Sequence, residues 1–430
     1  MTKASLEEKL LKDYDVKYNA NGISGERIAH RLSELSKIGR TSDNGSNRPG
    51  FSKEEKQAKE LVAKWMKEAG LDVQIDGAGN VFGRLEGRSK EAKTIVCGSH
   101  VDSVPNGGHF DGTLGVISAL EIVEAWKETG YRPEKSYEVA IFTDEEGARF
   151  NGGFNGSEAV VGKGNIEDKL KLTDSNGMNF EQVLNEIDLT VESYQQAQRN
   201  FEDIEMFVEL HIEQGKRLEK AKLPCGIVTG IAGPSWSEFT FYGEAGHAGN
   251  TPMDDRKDAL VAASEFVLAV KKLAPEISDT AVATVGKQTI NPNGVNVIPG
   301  KVTLYVDIRD IYKNTRDELV ERSISKAEEI ANNYGLRLEW KEIMKTPPVP
   351  IEASTQQLLE KAFNQHQIDI LKMPSGAGHD AMILGEKVPI AMLFVQSKNG
   401  ISHNPEEWSN LSDCVQGVQV LKTFIENLQS

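Results

Sequence analysis

The stretch GSHVDSVPNGGHFDGTLG, residues 98–115, lies between two apolar runs of different periodicity. The β-branched run before it, residues 94–97, predicts a buried strand, and the run after it, residues 114–126, predicts a helix that ends at Gly130. A strand, a glycine-rich polar turn and a helix in this order predict an α/β fold, whose parallel strands form a ligand-binding crevice at their carboxyl ends. His100 and Asp111 would lie at that crevice, although an ordinary loop explains either residue taken alone.

Composition limits the class of protein. The 430-residue chain is long enough for two or three domains, and its formal charge of -16 argues against nucleic acid as a partner, because phosphate contacts need clustered Lys and Arg. The spacing of the three cysteines is typical of neither a disulfide framework nor a zinc site. There is no run of eighteen apolar residues and no apolar segment among the first twenty, so we expect a cytoplasmic protein without membrane contact.

Three further strand-like runs lead to side chains that bind metal ions. They are residues 137–143 before Glu145 and Glu146, residues 205–210 directly before His211, and residues 390–395 before His403. Parallel strands of one sheet would bring these groups to the same edge as His100 and Asp111. Imidazoles and carboxylates without a thiolate predict a catalytic site for Zn, Mn, Co or Ni rather than a structural zinc site.

The number of ligands predicts two metal ions. Five ligands are too many for one open tetrahedral ion but suit two ions that share a carboxylate. One of Glu145 and Glu146 would then be a ligand, and the other would remain free as a general base for water that attacks a carbonyl carbon. Asp102, two residues after His100, is placed to accept the other ring N–H of that histidine. Taken alone, DEEG at residues 144–147 could equally be a solvated turn.

The order of predicted elements changes after Leu223-Pro224. Residues 235–343 show a βαββαβ order, which predicts a ferredoxin-like unit, and KTPPVP at residues 345–350 is a stiff linker. We therefore predict a discontinuous catalytic domain, residues 1–223 and 346–430, with a mixed, centrally parallel sheet flanked by helices. Residues 224–345 form an inserted lid or dimerisation domain.

Two local patterns predict helices. Ser52 and Glu55 have the spacing of a capping box for a helix that ends near Gly70. The polar segment 163–200 has helical spacing only around Val183 to Ile187, which predicts one helix with flexible flanks.

Seven motifs together resemble a known family. They are HVD with a downstream GGHFDG, TDEEGARF, ELHIEQG, GHAGNTPM, NVIPG, SGAGHDA and SHNPEEW. In this order they resemble the two-metal amidohydrolases of the M20 peptidase-like superfamily. The branch is that of N-carbamoyl-L-amino acid hydrolases, β-ureidopropionases and allantoate amidohydrolases. The resemblance runs from about residue 24 to the C-terminus and implies an exopeptidase-like catalytic domain.

The resemblance implies a role for each site residue. The implied metal ligands are His100 and His211 on one ion, Glu146 and His403 on the other, and Asp111 as the bridge. The implied catalytic groups are Glu145, as the general base, and His247, as a donor to the developing oxyanion. The implied substrate contacts are Gln214, Asn296 and Arg309. Gly376 and Ala377 are further candidates for substrate binding, because backbone N–H groups of this glycine-rich turn could hold an anion, although it could also be an ordinary tight turn. Taken singly, the residues of the inserted domain could equally be surface or turn residues.

The resemblance also implies an activity and an assembly. The activity is hydrolysis of N-carbamoyl-L-amino acids to the L-amino acid, CO2 and NH3 by two divalent ions per subunit, in a homodimer joined through residues 224–345. His247 would reach the neighbouring subunit's site, and the Asp111–Gly112 peptide would be cis. The alternatives are an allantoate amidohydrolase, an M20-type metallopeptidase, and a metal-stabilised scaffold that would have no need of Glu145.

Overall fold

The computed structural model describes residues 4–429 of the chain, and these divide into two compact units. The first unit contains the described residues up to Thr229, together with Ile351–Met373 and those from His379 onward. The second unit contains Gly230–Pro350 and Pro374–Gly378.

The described residues form fifteen strands and fourteen α-helices. The strands are β1 Asp72–Ile75, β2 Val81–Leu85, β3 Thr94–His100, β4 Tyr137–Phe142, β5 Ile204–Ile212, β6 Cys225–Ile231, β7 Gly233–Tyr242, β8 Gly246–His247, β9 Val282–Asn291, β10 Val297–Ile298, β11 Lys301–Asp310, β12 Arg337–Lys345, β13 Val349–Pro350, β14 Lys372–Ser375 and β15 Ile390–Val395. The helices are α1 Leu6–Leu11, α2 Gly25–Leu35, α3 Lys53–Ala69, α4 Thr113–Thr129, α5 Asn155–Val161, α6 Ile166–Lys169, α7 Phe180–Glu186, α8 Val191–Gln195, α9 Arg217–Ala221, α10 Ala259–Ile277, α11 Lys313–Asn333, α12 Ala353–Gln365, α13 Asp380–Leu384 and α14 Leu411–Asn427.

The sheet of the first unit has the order β1-β2-β4-β3-β5-β15-β6. Its four central strands, β4, β3, β5 and β15, are parallel, whereas β2 and β6 join them antiparallel. Strands β3, β4 and β15 are buried along their whole length, which explains their near-continuous apolar sequences. The prediction of a mixed, centrally parallel sheet flanked by helices is confirmed.

Helix α4 determines where the loop of residues 101–112 ends. It is rich in Ile, Val and Leu, it is buried on nearly every face, and it packs against β3 and β5 and against α2 and α14. An apolar helix of this kind gains stability only in the interior, where each buried Ile or Leu contributes about 1.5–3 kcal/mol. Because α4 returns antiparallel along the sheet, its first residue lies at the carboxyl edge of the parallel strands.

The second unit contains the predicted βαββαβ order, β7-α10-β9-β11-α11-β12. The four strands form an antiparallel sheet with the order β12-β7-β11-β9. Helices α10 and α11 pack on one face of it around a core that includes Phe239, Phe241 and Phe266. This is the strand order of a ferredoxin-like unit.

Three local predictions are wrong. His211 does not follow its strand but lies within β5, because β15 continues to pair with β5 as far as Ile212. Residues 163–200 form three short capped helices, α6, α7 and α8, rather than one helix with flexible flanks. Ser52 caps α3 as expected, but the Glu55 carboxylate accepts from Phe51 N–H instead of closing a capping box. Each of these outcomes depends on a partner that is distant in sequence or on the burial of the segment.

The helices of residues 4–429 are not of the kind that spans a membrane. None of these helices is both long enough and apolar enough to cross a bilayer.

Candidate metal centre

The predicted metal ligands, all in the first unit, lie together at the carboxyl edge of the parallel strands. His100 is the last residue of β3, and Asp111 lies two residues before the start of α4. Glu146 follows β4, His211 lies near the end of β5, and His403 lies in the loop after β15. Parallel pairing aligns the carboxyl ends of these strands, so side chains that are far apart in sequence meet here.

The two oxygens of Asp111 face two different groups of side chains. Oδ1 lies 3.1 Å from His211 Nε2 and 3.6 Å from His100 Nε2. Oδ2 lies 3.5 Å from His403 Nε2, which is itself 3.2 Å from Glu146 Oε2. Within each group the potential ligand atoms lie within 4.8 Å of one another. The chain therefore holds two groups of donor atoms that share one carboxylate.

The two histidines of the first group, His100 and His211, direct their Nε2 atoms toward Asp111 Oδ1. His211 Nδ1 lies 3.0 Å from the Ile212 carbonyl oxygen, and His100 Nδ1 lies 3.2 Å from Asp102 Oδ1. An Nδ1–H that donates to these acceptors makes Nε2 the nitrogen that carries a lone pair in each neutral ring. His100 Nε2 is buried, and it has no hydrogen-bond partner among residues 4–429. The donor set therefore fits divalent ions that take nitrogen and oxygen ligands.

The groups shift one another's pKa values in the directions expected of a dense cluster of charges. Burial lowers the pKa of His100, but the surrounding carboxylates, first Glu145, outweigh it and raise this pKa well above its usual range. Hydrogen bonds to Asp111 and Glu146 raise the pKa of His403 to about 10. Burial raises the pKa of Asp111, but the histidines, first His211, outweigh this and lower it well below its usual range. The carboxylates of this cluster thus stabilise positive charge in the space between them.

Gly112 lets the Asp111 loop approach the histidines. It has a φ of 61°, and a Cβ at this position would lie 2.3 Å from His100 Nε2. Its N–H donates to His211 Nε2 at 3.2 Å. The prediction of a cis Asp111–Gly112 peptide is wrong, because the only cis bond among the described residues is Asn291–Pro292. The positive φ of Gly112, which glycine adopts readily, makes the turn instead.

Asp102 connects β3 to the acidic turn after β4. Besides facing His100, its Oδ1 accepts from Glu145 N–H and its Oδ2 from Glu146 N–H, each at 3.1 Å. Glu145 Oε2 lies 3.6 Å from His100 Nε2, and Glu145 belongs to neither group of potential ligands. Burial, followed by the nearby carboxylates Glu146 and Asp380, raises the pKa of Glu145 well above its usual range, although His100 opposes the shift.

Two further buried carboxylates, which the sequence analysis did not place at this site, support the loops of the centre. Glu407 accepts from Phe110 and Asp111 N–H, and Glu55 accepts from Phe51 and Asp144 N–H. Burial and then Asp111 raise the pKa of Glu407 to about 7. Glu407 lies inside the quoted motif SHNPEEW, so the motif was the signal that could have identified it.

Arg48 was also missed, and the sequence contains no signal for it. Its buried guanidinium donates to the carbonyl oxygens of Val101, Leu35 and Ile38, which sequence does not distinguish from any others, and to the hydroxyls of Ser46 and Thr113. Burial lowers the pKa of Arg48 to about 10, although Asp102 and other acids oppose that shift. Arg48 connects α2 to the chain that leaves β3.

Gln214, a predicted substrate contact, lies beside the Asp111 carboxylate. Its side-chain N–H donates to Asp111 Oδ2 at 2.8 Å and to Ser402 Oγ at 3.3 Å. Its φ of 55° is unusual for a residue other than glycine. The backbone of Gln214 is held by a hydrogen bond from its N–H to Ser397 Oγ at 3.1 Å.

The other predicted catalytic and substrate residues belong to the second unit and form two pairs. His247 lies in β8, which pairs with β10, and the Ala248 N–H donates to the Asn296 carbonyl oxygen at 3.0 Å. Arg309 lies near the end of β11, where its guanidinium donates to Asp307 and to the Gly376 carbonyl oxygen at 2.8 Å. The adjacent Ala377 carbonyl oxygen accepts from Ser375 Oγ at 2.8 Å.

The two histidines whose roles the sequence left open have different surroundings. His109 makes contacts with Ser46 Oγ and the Asn44 carbonyl oxygen, and burial lowers its pKa to about 4, which is the pattern of a structural histidine. His379 is buried, with its ring centroid 4.5 Å from that of His211. It forms a third group of potential ligands with Glu209 and His211.

The fold and the shared-carboxylate centre together define a hydrolase-type α/β protein with two groups of metal-binding side chains. The sequence profile of Peptidase family M20/M25/M40 matches residues 96–427, and the chain belongs to this family, whose enzymes are metal-dependent.

Similar proteins agree with this assignment. The N-carbamoyl-L-amino acid amidohydrolase of Geobacillus stearothermophilus is 42% identical over 93% of this chain and 97% of its own. The allantoate amidohydrolase of Bacillus subtilis (strain 168) is 36% identical over 93% of this chain and 97% of its own. The crystal structure of an amidase of the hydantoinase/carbamoylase family from Burkholderia multivorans has a TM-score of 0.88 and 34% identity, and it covers 95% of this chain and 98% of its own.

Proposed function

We propose that the protein hydrolyses the carbamoyl C–N bond of N-carbamoyl-L-amino acids, with release of the L-amino acid, CO2 and NH3. The observation that carries the proposal is the placement of Glu145 beside two donor groups that share Asp111. The 42% identity to an N-carbamoyl-L-amino acid amidohydrolase supports this substrate class over the other amides that such a centre could hydrolyse.

We propose that the centre holds two divalent ions, of Zn, Mn, Co or Ni. His100 and His211 would hold one ion, Glu146 and His403 the other, and Asp111 both, since its two oxygens face different groups. Bound there, such ions polarise a carbonyl oxygen and lower the pKa of water. Dications bound there would favour the charged form of the buried acidic side chains around the site, among them Asp102, Asp380 and Glu407, and would in turn be stabilised by them.

Glu145 would move the proton in the reaction. Glu145 lies beside His100 and outside both donor groups, so its carboxylate can accept a proton from the attacking water and return it to the leaving nitrogen. The Asp102 carboxylate holds the backbone N–H groups of Glu145 and Glu146, so the base and the neighbouring ligand keep a fixed separation. The products are then the free amine and a carbamate, which loses CO2 to leave NH3.

The second unit would supply the substrate contacts. Arg309 presents a guanidinium, a group that binds carboxylates through two parallel hydrogen bonds, and the Gly376 and Ala377 backbone would complete this contact. Asn296 would add a supporting amide, and His247 would donate to the developing oxyanion. Gln214 would exchange its hydrogen bond with Asp111 for one with the substrate.

A substrate panel tests the proposed function. The metal-free protein should be reconstituted with Mn, Co, Zn or Ni singly and offered N-carbamoyl-L-methionine, other N-carbamoyl-L-amino acids, allantoate and a dipeptide. We expect the carbamoyl amino acids to be consumed fastest with at least one metal, as measured by ammonia release. The carboxamide of N-carbamoyl-L-methionine serves as the matched control, and it should be a poor substrate because it has no carboxylate for Arg309.

The same substrate panel distinguishes the second candidate function, hydrolysis of allantoate, from the first. The 36% identity to an allantoate amidohydrolase favours that activity as the alternative. Rapid loss of allantoate without turnover of any carbamoyl amino acid would move the assignment there, and cleavage of the dipeptide alone would favour a metallopeptidase.

We propose that the protein forms a homodimer through the second unit. Strand β9 is ten residues long, lies at an edge of its sheet and pairs only with β11 among the described strands. The neighbouring helix α10 exposes Val261 and Leu268, the latter with 62% of its surface accessible. Long edge strands and exposed apolar side chains are typical of surfaces that a partner covers.

Subunit exchange tests both the dimer and the role of His247. The variants H247A and E145Q should each be nearly inactive alone, and light scattering should give a dimeric mass for both. If His247 serves the neighbouring subunit, mixing equal amounts should restore about a quarter of wild-type activity, because half of the dimers are mixed and each of those has one intact site. No recovery after confirmed exchange would contradict a role across the dimer.

We also propose a cytoplasmic location. Cys97, Cys225 and Cys414 are buried free thiols, which agrees with a reducing compartment. Cell fractionation with an antibody to the protein would test this, and recovery from the medium or periplasm would contradict it.

A further inference from the structure

Glu407 is a buried carboxylate that contacts the backbone beside Asp111 from a distant part of the chain. It is 3% exposed, and its Oε1 accepts from Phe110 N–H at 2.8 Å and from Asp111 N–H at 3.1 Å. It also packs against Gly108, where an added Cβ would lie 2.1 Å from the Glu407 carboxyl group. The two loops are therefore in close contact.

The same loop also holds the side chain of Asp111. Ser402 Oγ donates to Asp111 Oδ2 at 2.6 Å and lies 3.1 Å from Glu407 Oε2. Ser402 directly precedes His403, which faces the same oxygen of Asp111. One loop, residues 402–407, thus contacts both the backbone and the carboxylate of the residue that the two donor groups share.

Glycines flank the two residues whose N–H groups donate to Glu407. Gly107 and Gly108 precede Phe110, and Gly112 follows Asp111, and glycine has more intrinsic backbone freedom than any other residue. The N–H groups of Phe110 and Asp111 are buried, and native structures rarely leave such donors without an acceptor. The Glu407 carboxylate is the acceptor for both of these N–H groups.

We propose that Glu407 is a positioning residue that fixes Asp111 so that its two oxygens face the two donor groups at the same time. This inference rests on the proposed two-metal centre. Glu407 acts through hydrogen bonds to the Asp111 loop and to Ser402, and it is not itself a ligand. Its removal should therefore weaken metal binding before it affects any step of catalysis.

Metal titration of three variants tests this. Manganese chloride is titrated into the metal-free protein by calorimetry, which needs no substrate. E407L removes the acceptor, and we expect a loss of metal affinity of about 10- to 100-fold, the range for residues that orient ligands. E407Q keeps an oxygen for both backbone N–H groups and offers an amide N–H to Ser402 Oγ, so it should remain within a few-fold of wild type.

The third variant, E121Q, is the control for general loss of stability. Glu121 is also a fully buried carboxylate, and it accepts from Ser24 N–H at 2.7 Å and pairs with Arg27, away from the donor groups. E121Q should lower the melting temperature and leave the affinity for manganese unchanged.

The results distinguish failure of the positioning role of Glu407 from failure of the proposed metal centre. Wild-type affinity in E407L, or an equal loss in E407L and E407Q, would overturn the positioning role. If E407L does not fold, S402A takes its place, and it should show a smaller loss in the same direction; an unchanged affinity in S402A would then overturn the role. Failure of the wild-type protein to bind manganese would instead overturn the metal centre, and the role of Glu407 with it.

Discussion

Replacing Glu145 by Gln should lower turnover of N-carbamoyl-L-methionine by about 10²- to 10⁴-fold, the usual contribution of a general acid–base group, while the metal content stays unchanged. Glutamine has the shape of glutamate but cannot carry the proton between water and the leaving nitrogen. Glu145 lies outside both donor groups, so its loss removes no ligand. The backbone N–H that bonds to Asp102 is also unaffected by the change.

The readouts are kcat and the amount of metal bound per chain, measured on the same preparation. E60Q is a matched control, because Glu60 is an exposed residue of α3 and the same chemical change there should alter neither value. Unchanged turnover in E145Q would remove the enzymatic role of Glu145 and would favour a metal-stabilised scaffold. Loss of metal together with turnover would instead make Glu145 a ligand.

Replacing Asp111 by Asn should weaken the binding of both metal ions by more than about 100-fold, which is the upper range for residues that only orient ligands. It should abolish activity at ordinary metal concentrations. The physical reason is that Asp111 Oδ1 faces His100 and His211, whereas Oδ2 faces His403. Asparagine removes the negative charge from both sides at once and offers only one oxygen.

His403→Ala is the control that makes this prediction specific. His403 faces only Glu146 and one oxygen of Asp111, so its loss should affect one ion and leave the other bound. Metal content after gel filtration distinguishes the two variants, with less than one ion per chain expected for D111N and close to one for H403A. One tightly bound ion remaining in D111N would contradict a bridging role for Asp111.

Much of the fold was predictable because the spacing of apolar residues in each segment reflects how that segment is buried. The runs that became β3, β4 and β15 are almost uninterrupted in apolar residues, since both faces of a central parallel strand are covered. The helical spacing after Asp111 likewise predicted α4, and the change of element order after residue 224 predicted the ferredoxin-like strand order of the second unit.

The predictions that failed depended on partners the local sequence does not specify. Strand β5 continues past its apolar run through His211 because β15 offers hydrogen bonds as far as Ile212. The polar segment of residues 163–200 becomes ordered because Phe180, Val183 and Tyr194 pack with Phe51 in a small separate core. Its composition alone indicated flexibility.

The sequence by itself determined the chemistry of this protein. The residue types that follow each strand, with three imidazoles, several carboxylates and no thiolate, already indicated a hydrolytic metal centre rather than a structural one. Local spacing placed them at strand ends, and the family was recognisable from the motifs in which they occur.

The tertiary structure alone decided how those groups are held. Glu407 lies 297 residues from Phe110 and 296 from Asp111, and it contacts their backbone N–H groups, which are present at every residue except proline and so leave no trace in the sequence. Arg48 is likewise held by backbone carbonyl oxygens. The sequence therefore identifies the side chains that can bind a metal ion. Only the folded chain shows which buried charged residues hold the loops that carry those side chains. The reason is that these contacts involve backbone atoms that packing brings together.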